Sequence, residues 1–203
     1  MFIIGITGGT GAGKTTTLEV IKKLGGLALD CDEIYHELLL NNESLKDELS
    51  GCFPGVLVDS EIDRKKLGKL VFSDANALLK LNEITHKYVG ENVESRLNDW
   101  GQSGGKFAAI DAIALLESNL SKKCAVTVGI TAPEELRIRR ITQRDGISAQ
   151  AALQRISAQK PDSFFIENCG HILHNNYDTP EKFEEFCKKY FKNLLLERGI
   201  ANV

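Results

Sequence analysis

Phe2-Ile3-Ile4-Gly5-Ile6 runs through Thr7 into Gly8-Gly9-Thr10-Gly11-Ala12-Gly13-Lys14-Thr15, and Thr16 to Leu24 (TTLEVIKKL) follows without a break. The first piece is an apolar, β-branched run of strand length, and the last reads as a helix. Between them stands the pattern G-x-x-x-x-G-K-[ST], a loop that cradles phosphate. Each residue type has a physical task. Glycines let backbone N–H groups close on phosphate oxygens, Lys14 reaches the β- and γ-phosphates, and the Thr15 hydroxyl can ligand Mg2+. The helix brings the positive end of its dipole to the same place. Strand, loop and helix come in the order this chemistry requires, which sets the reading above a glycine-rich turn with a chance Lys-Thr after it. No G-x-G-x-x-G register fits these glycines, so a dinucleotide-binding loop is disfavoured. The expected nucleotide ligands are Gly8, Gly9, Thr10, Gly11, Ala12, Gly13, Lys14, Thr15 and Thr16.

Moving outward, Gly25-Gly26 punctuates, and Leu27-Ala28-Leu29 predicts a second strand ending in Asp30-Cys31-Asp32. Either aspartate could cap a helix from Glu33 to Leu40, but capping accounts for only one of them. From Asn41 to Trp100 the pattern changes. Helices are expected over Glu43–Cys52, from Ile62-Asp63-Arg64 through Phe72, and over Ala75–Trp100, with no convincing strand among them. In the last of these, Leu78, Leu81, Ile84, Tyr88, Val93, Leu97 and Trp100 keep a helical period. An all-helical excursion of that size between strands of a parallel sheet reads as an inserted substrate-binding subdomain over 41–105, with Gly101 to Gly105 as a flexible return.

Lys106 to Asp111 is apolar after its first residue and ends in a carboxylate, as a strand buried on both faces does. A carboxylate at the end of a strand neighbouring a phosphate loop can hold the Mg2+ shell, so Thr15 and Asp111 form the candidate metal pair; a plain strand-end turn residue is the alternative. Cys124 to Ile130 predicts a fourth strand, and Pro133 suits the first turn of a helix reaching Asp145. On it Arg137, Arg140 and Arg144 share one face, while Arg139 points elsewhere. Gly146 ends that helix, and Ser148 can cap the next one, which carries Arg155 and Gln159. The two helices, 133–160, read as a mobile lid that closes arginines on a transferring phosphoryl group, with a solvated charged face as the alternative. His171 to His174 is a fifth strand, and Thr179-Pro180 opens a final helix whose stripe of Phe183, Phe186, Cys187, Tyr190, Phe191, Leu194 and Leu195 should pack on the sheet. The expected fold is α/β, a three-layer sandwich around a five-stranded parallel sheet. It forms one domain, with core 1–40 and 106–203, the helical insertion and the lid.

Composition narrows the function. A chain of 203 residues suits one α/β domain, and a formal charge of −3 argues against nucleic-acid binding through a basic surface. Five scattered cysteines with no C-x-x-C pair favour reduced thiols in a cytoplasmic protein over disulfides or a zinc site. No apolar run approaches membrane-spanning length, and the apolar N-terminus lacks a basic leader segment, so no membrane partner is expected. The partner should be a small molecule, and the protein a monomer or weak oligomer.

Parallel strands in such sheets end along one edge, where ligands bind. There the phosphate loop, Asp30 or Asp32, and Asp111 converge, and an aspartate can orient a substrate hydroxyl and accept its proton as a phosphoryl group moves in line. A small-molecule kinase using ATP and Mg2+ follows. A GTPase-like switch is the rival class, but no N-K-x-D guanine reader and no D-x-x-G after an apolar strand is found.

The segments IGITGGTGAGKT, LALDCDEIYHELL, IDRKKLGKLVF, LNEITHKYV, AIDAIALLES, RRITQRDGIS and RISAQ, in this order, resemble the dephospho-coenzyme A kinase family from end to end. The resemblance implies ATP-dependent phosphorylation of the ribose 3′-hydroxyl of dephospho-coenzyme A, with coenzyme A and ADP as products, the last step of that biosynthesis. It implies Asp32 as the catalytic aspartate, Lys14, Arg140 and Arg144 acting on the phosphoryl group, and 41–100 as the coenzyme A-binding subdomain. It also implies Arg64 and His86 as substrate contacts and Asn175 as an adenine-side contact. For His86, a satisfied buried histidine is equally open. The chain departs from the family pattern at Lys87 and Ile113, where prolines are usual, and at Cys169-Gly170 and His174, where acidic residues are. Another phosphate-loop kinase, for a nucleotide or a sugar acid, is the runner-up.

Overall fold

The computed structural model describes residues 1–200, apart from the side chains of Phe72 and Asn119. By its internal contacts the chain divides into two compact units, Met1–Asp30 with the chain from Asp99 onward, and Cys31–Asn98.

In the first unit, strand β1 (Phe2–Gly8) is followed by helix α1 (Lys14–Lys23) and strand β2 (Leu27–Asp30). The second unit then runs through helices α2 (Cys31–Asn41) and α3 (Glu43–Cys52), strands β3 (Leu57–Val58) and β4 (Glu61–Ile62), helix α4 (Arg64–Ser73) and helix α5 (Ala75–Gln102), whose residues from Asp99 belong to the first unit. The chain returns to the first unit through β5 (Phe107–Asp111), a short 3-10 helix (Asn119–Lys123) and β6 (Val126–Thr131). After these come α6 (Glu134–Asp145), α7 (Ala149–Ser157), α8 (Asp162–Asn168), β7 (His171–His174) and α9 (Pro180–Glu197).

The sheet has the order β2-β5-β1-β6-β7, and each neighbouring pair is parallel. This is the five-stranded parallel sheet expected from the sequence. Period-2 alternation explains its two covered faces. Ile4, Ile6, Val128 and Ile130 join Leu18, Ile21, Phe183, Cys187 and Phe191 in one buried cluster, so α1 and α9 cover that face. Gly5 and Gly129 alternate with those residues; Leu115 and Cys124 lie against the first, and Phe165 of α8 against the second. The stripe on α9 is therefore core, as its spacing predicts, with Thr179 before it and Pro180 at its first position.

The second unit departs from expectation in two places. Helix α2 begins at Cys31, directly at the end of β2, so Asp32 lies in its first turn rather than in a capping loop before Glu33. Carboxylates there favour the positive helix end. A two-stranded antiparallel ladder, β3 with β4, also interrupts the expected all-helical stretch. Its turn residues Asp59 and Ser60 both have positive φ, 49° and 65°, the backbone of a tight hairpin without the usual glycine. Caps fall where the residue types predict. Asn42 accepts from the Leu45 N–H at 2.8 Å, and Asp63 accepts from the N–H groups of Lys65 and Lys66 at 3.0 Å each. On α5 the buried residues are Ile84, Val89, Val93 and Leu97, whereas Leu78, expected in the stripe, is exposed.

Candidate active site

β1 is the middle strand of the sheet and delivers its last residue, Gly8, into the loop that precedes α1. Gly13 occupies the N-cap with φ 119° and offers no side-chain cap, and no acidic side chain lies in the first turn of α1. The leading amides of that helix have no acceptors within it, so they and the positive dipole end remain for an anion. Space as well as φ demands glycine here, because a Cβ on Gly13 would run into the Asn175 amide and the Phe183 ring.

The Ala12 N–H donates to the Gly9 carbonyl at 3.2 Å, which makes a tight turn with Thr10 and Gly11 at its crest. Three successive carbonyls of this crest are then taken by side chains from the far end of the chain. Arg137 Nε donates to Thr10 O at 2.8 Å, Arg140 Nη1 to Gly11 O at 3.0 Å, and Asn175 Nδ2 to Ala12 O at 2.8 Å. A carbonyl held by an outside donor is not free to face a phosphate, so the cradle presents N–H groups and not lone pairs.

The arginine face expected on the lid thus meets the loop backbone. Arg137 is 4% exposed, and its Nη1 also donates to Asp162 Oδ1 at 3.2 Å. Arg140 Nη2 donates to Asn175 Oδ1 at 3.1 Å and to Tyr177 O at 2.7 Å. Burial and the charge of Arg139 pull the Arg140 guanidinium below its ordinary pKa, with Asp178 opposing. Asn175 is buried, and both ends of its amide are engaged by Ala12 and Arg140, which places it under the loop. Arg144 lies apart and exposed, bonded through Nε and Nη2 to Asp145 at 2.7 and 3.0 Å. Arg155 reaches the same carboxylate at 2.6 Å. The Arg144 hydrogen bond is the largest cause holding the Asp145 carboxyl below its usual range, and that bond raises Arg144 in turn. Two contributors escaped sequence reasoning, Asp162 and the Tyr177 carbonyl, while Gln159, expected on the lid, accepts from the Thr10 N–H at 2.8 Å through its Oε1. Their signals were absent, since Asp162 meets Arg137 from 25 positions away with no motif to mark it, and Tyr177 acts through its backbone carbonyl.

Along the strand ends, Asp111 is in register with Ile6 on one side and Asp30 on the other. Asp111 is 5% exposed, Asp30 half-buried, and Thr15 exposed in the first turn of α1. A carboxylate and a hydroxyl form an oxygen-only donor set, which suits Mg2+. Among the described residues no group of three His, Cys, Asp or Glu could hold a metal ion. A Mg2+ here would therefore complete its shell with water and phosphate oxygens.

The remaining candidates lie in the second unit. Asp32 is exposed in α2, and His86 is exposed on α5, which removes the buried-histidine alternative. Arg64, exposed at the start of α4, brings its Nη2 to 3.5 Å from His36 Nε2. Nearby Tyr35 is raised above its ordinary pKa by burial, with the Arg64 charge opposing.

Comparison with known proteins adds to this geometry. Residues 2–181 match the model of the family described as CoaE, dephospho-CoA kinase. A dephospho-CoA kinase of Dehalococcoides mccartyi is 36% identical over 178 residues, 87% of this chain and 89% of that protein. One from Geobacter sulfurreducens is 33% identical over 91% of this chain and 94% of its own length. Among solved structures, a Thermus thermophilus protein superposes with a TM-score of 0.80 at 28% identity, over 97% of each chain. The dephospho-CoA kinase of Campylobacter jejuni gives 0.66 at 26% identity, over 95% and 96%.

Proposed function

The chain belongs to the dephospho-CoA kinase family, and we propose that it moves the γ-phosphoryl group of ATP to the ribose 3′-hydroxyl of dephospho-coenzyme A. The enzyme is a kinase, and the family reaction is the final step of coenzyme A biosynthesis. The observation that carries the site assignment is the row of strand ends. The phosphate loop leaves β1, with Asp111 and then Asp30 in register beside it, and α2 carries Asp32 two residues farther on.

In this reading the amides from Gly8 to Thr16, other than those of Thr10 and Ala12, which are engaged within the protein, hold the donor phosphates, and Lys14 neutralises charge that develops on the transferring group. Asp32 orients the acceptor hydroxyl and takes its proton. The hydroxyl oxygen forms a bond to the γ-phosphorus as the bond from that phosphorus to the β–γ bridging oxygen breaks, and ADP leaves with the electron pair. Thr15 and Asp111 would hold Mg2+, which when bound supplies positive charge to the β- and γ-phosphate oxygens. Arg140 works through the loop it props, and Arg144 is assigned to the transferring phosphoryl group, toward which the lid would have to carry it. Asn175 supports the donor site from beneath the loop. Arg64 and His86 contact the acceptor in a helical substrate-binding region, and the lid spans 133–160. We place the enzyme in the cytoplasm, acting as a monomer or weak oligomer without nucleic-acid or membrane partners. Among the described residues no helix is long and apolar enough to cross a membrane, and all five cysteines are free.

The deciding assay is ADP release with dephospho-coenzyme A, nucleoside monophosphates and gluconate offered separately as acceptors. Stimulation by dephospho-coenzyme A above the others is expected. Stimulation by another acceptor and none by dephospho-coenzyme A would overturn the assignment.

A further inference from the structure

Thr10 is held on both of its peptide units, and by groups that are themselves joined. Its N–H donates to Gln159 Oε1 at 2.8 Å, and its carbonyl accepts from Arg137 Nε at 2.8 Å. Arg137 Nη1 continues to Asp162 Oδ1 at 3.2 Å; Gln159 lies on the segment linking α7 to α8, and Asp162, three residues farther on, is the first residue of α8. The path from Thr10 to Gln159, along Lys160-Pro161 to Asp162, and back through the guanidinium to Thr10 closes on itself.

Two features set this ring apart from ordinary packing. The remaining terminal nitrogen of Arg137 is buried with no hydrogen-bond partner among the described residues, and it lies so near Gly9 that a Cβ there would collide with it. A guanidinium placed for its own satisfaction would not leave a buried donor unmet, since burying a polar N–H without a partner is costly. The position suits the loop instead. Gln159 in turn takes a loop amide on the outside of the crest, so the peptide between Gly9 and Thr10 cannot rotate unless the α7–α8 segment moves with it.

We propose that Arg137 and Gln159 are positioning residues that act as one clamp on Thr10, fixing the crest of the phosphate loop for the donor nucleotide and coupling its occupancy to the helices of 133–160. The clamp rests on the kinase reading for its purpose, but its signature is donor affinity, which is measurable without any acceptor. Neither side chain takes part in the chemistry. Both act through the backbone of Thr10.

The test is calorimetric titration of the full-length protein with ATP and Mg2+, no acceptor present, for wild type, Gln159→Ala, Arg137→Lys and the double variant. Arg137→Lys keeps the buried charge but not the fork that spans Thr10 and Asp162. Each single variant is expected to weaken ATP about tenfold, and the double variant to weaken it little further, because removing either arm already frees the crest. Thermal unfolding of the same proteins separates a fold defect from a clamp defect. Additive losses in affinity, or affinities at the wild-type level, overturn the clamp. A lower unfolding temperature with unchanged ATP affinity overturns it too and leaves a structural role. Failure of wild-type protein to bind ATP at all would instead sink the kinase reading beneath it. A variant of Arg137 that fails to fold leaves Gln159→Ala to decide alone, with unchanged affinity counting against the clamp.

Discussion

The side-chain amide of Asn175 donates to the carbonyl of Ala12 at 2.8 Å, joining the end of β7 to the phosphate loop across 163 positions of sequence. The other end of the same amide accepts from Arg140. Asn175→Ala strips both, and a buried carbonyl left without its donor costs about 1–3 kcal/mol. The KM for ATP should rise about tenfold and the unfolding temperature should fall. An ATP KM at the wild-type value would remove Asn175 from loop support.

Arg140→Ala deletes bonds to Gly11, Asn175 and Tyr177 together. Its main effect should be on ATP binding, with KM rising about tenfold or more, since an unpropped loop binds ground state and transition state alike less well. Arg144→Ala should behave the other way, lowering kcat with the ATP KM nearly unchanged. Steady-state kinetics on both variants settles the contrast, and identical profiles would contradict it.

Asp32→Asn tests the base. The amide keeps the size of the side chain but cannot take up the acceptor proton, so kcat should drop by a factor on the order of hundreds, while ATP affinity stays within about twofold. Activity close to wild type would strip Asp32 of that role and return attention to Asp30.

Alkaline pH should weaken the fold before it touches the chemistry. Burial pushes the Cys187 thiol from its ordinary 9.0 up to about 12, and the Cys124 thiol up to about 11. Both thiols are protonated in folded and unfolded chains below pH 9. Above it the unfolded chain ionises first and binds fewer protons than the native one, so stability falls as pH rises from about 9 to 12. Burial raises the Tyr190 phenol to about 12 as well, which adds to the same trend. Denaturant midpoints at pH 8 and pH 10.5 should differ in that direction, and Cys187→Ala should shrink the difference.

What the sequence made legible was local. The strand, glycine loop and helix from Phe2 to Leu24 announce themselves because every cue lies within one turn or one period, and Asp111 stands out because an apolar run ends on a charge. The arginine face of α6 was legible as a pattern but not as an attachment. The partners of Arg137 and Arg140 are main-chain carbonyls 127 and 129 positions earlier, which carry no residue signature. The β3–β4 ladder escaped because two-residue strands show no alternation and the turn at Asp59-Ser60 lacks glycine. The start of α2 was misjudged because Asp30 and Asp32 look like caps, whereas the helix springs from the strand end and leaves no capping loop.

The props beneath the glycine loop carry a consequence for biogenesis. Synthesis runs from the N-terminal side, so the glycine loop emerges well before its supports, yet β1 needs β5 and β6 on its flanks, and the crest of the loop needs Arg137, Arg140 and Asn175. The motif made before its supports is therefore finished only after them. A nascent chain arrested before β7 has emerged should carry the whole glycine motif and still fail to retain nucleotide.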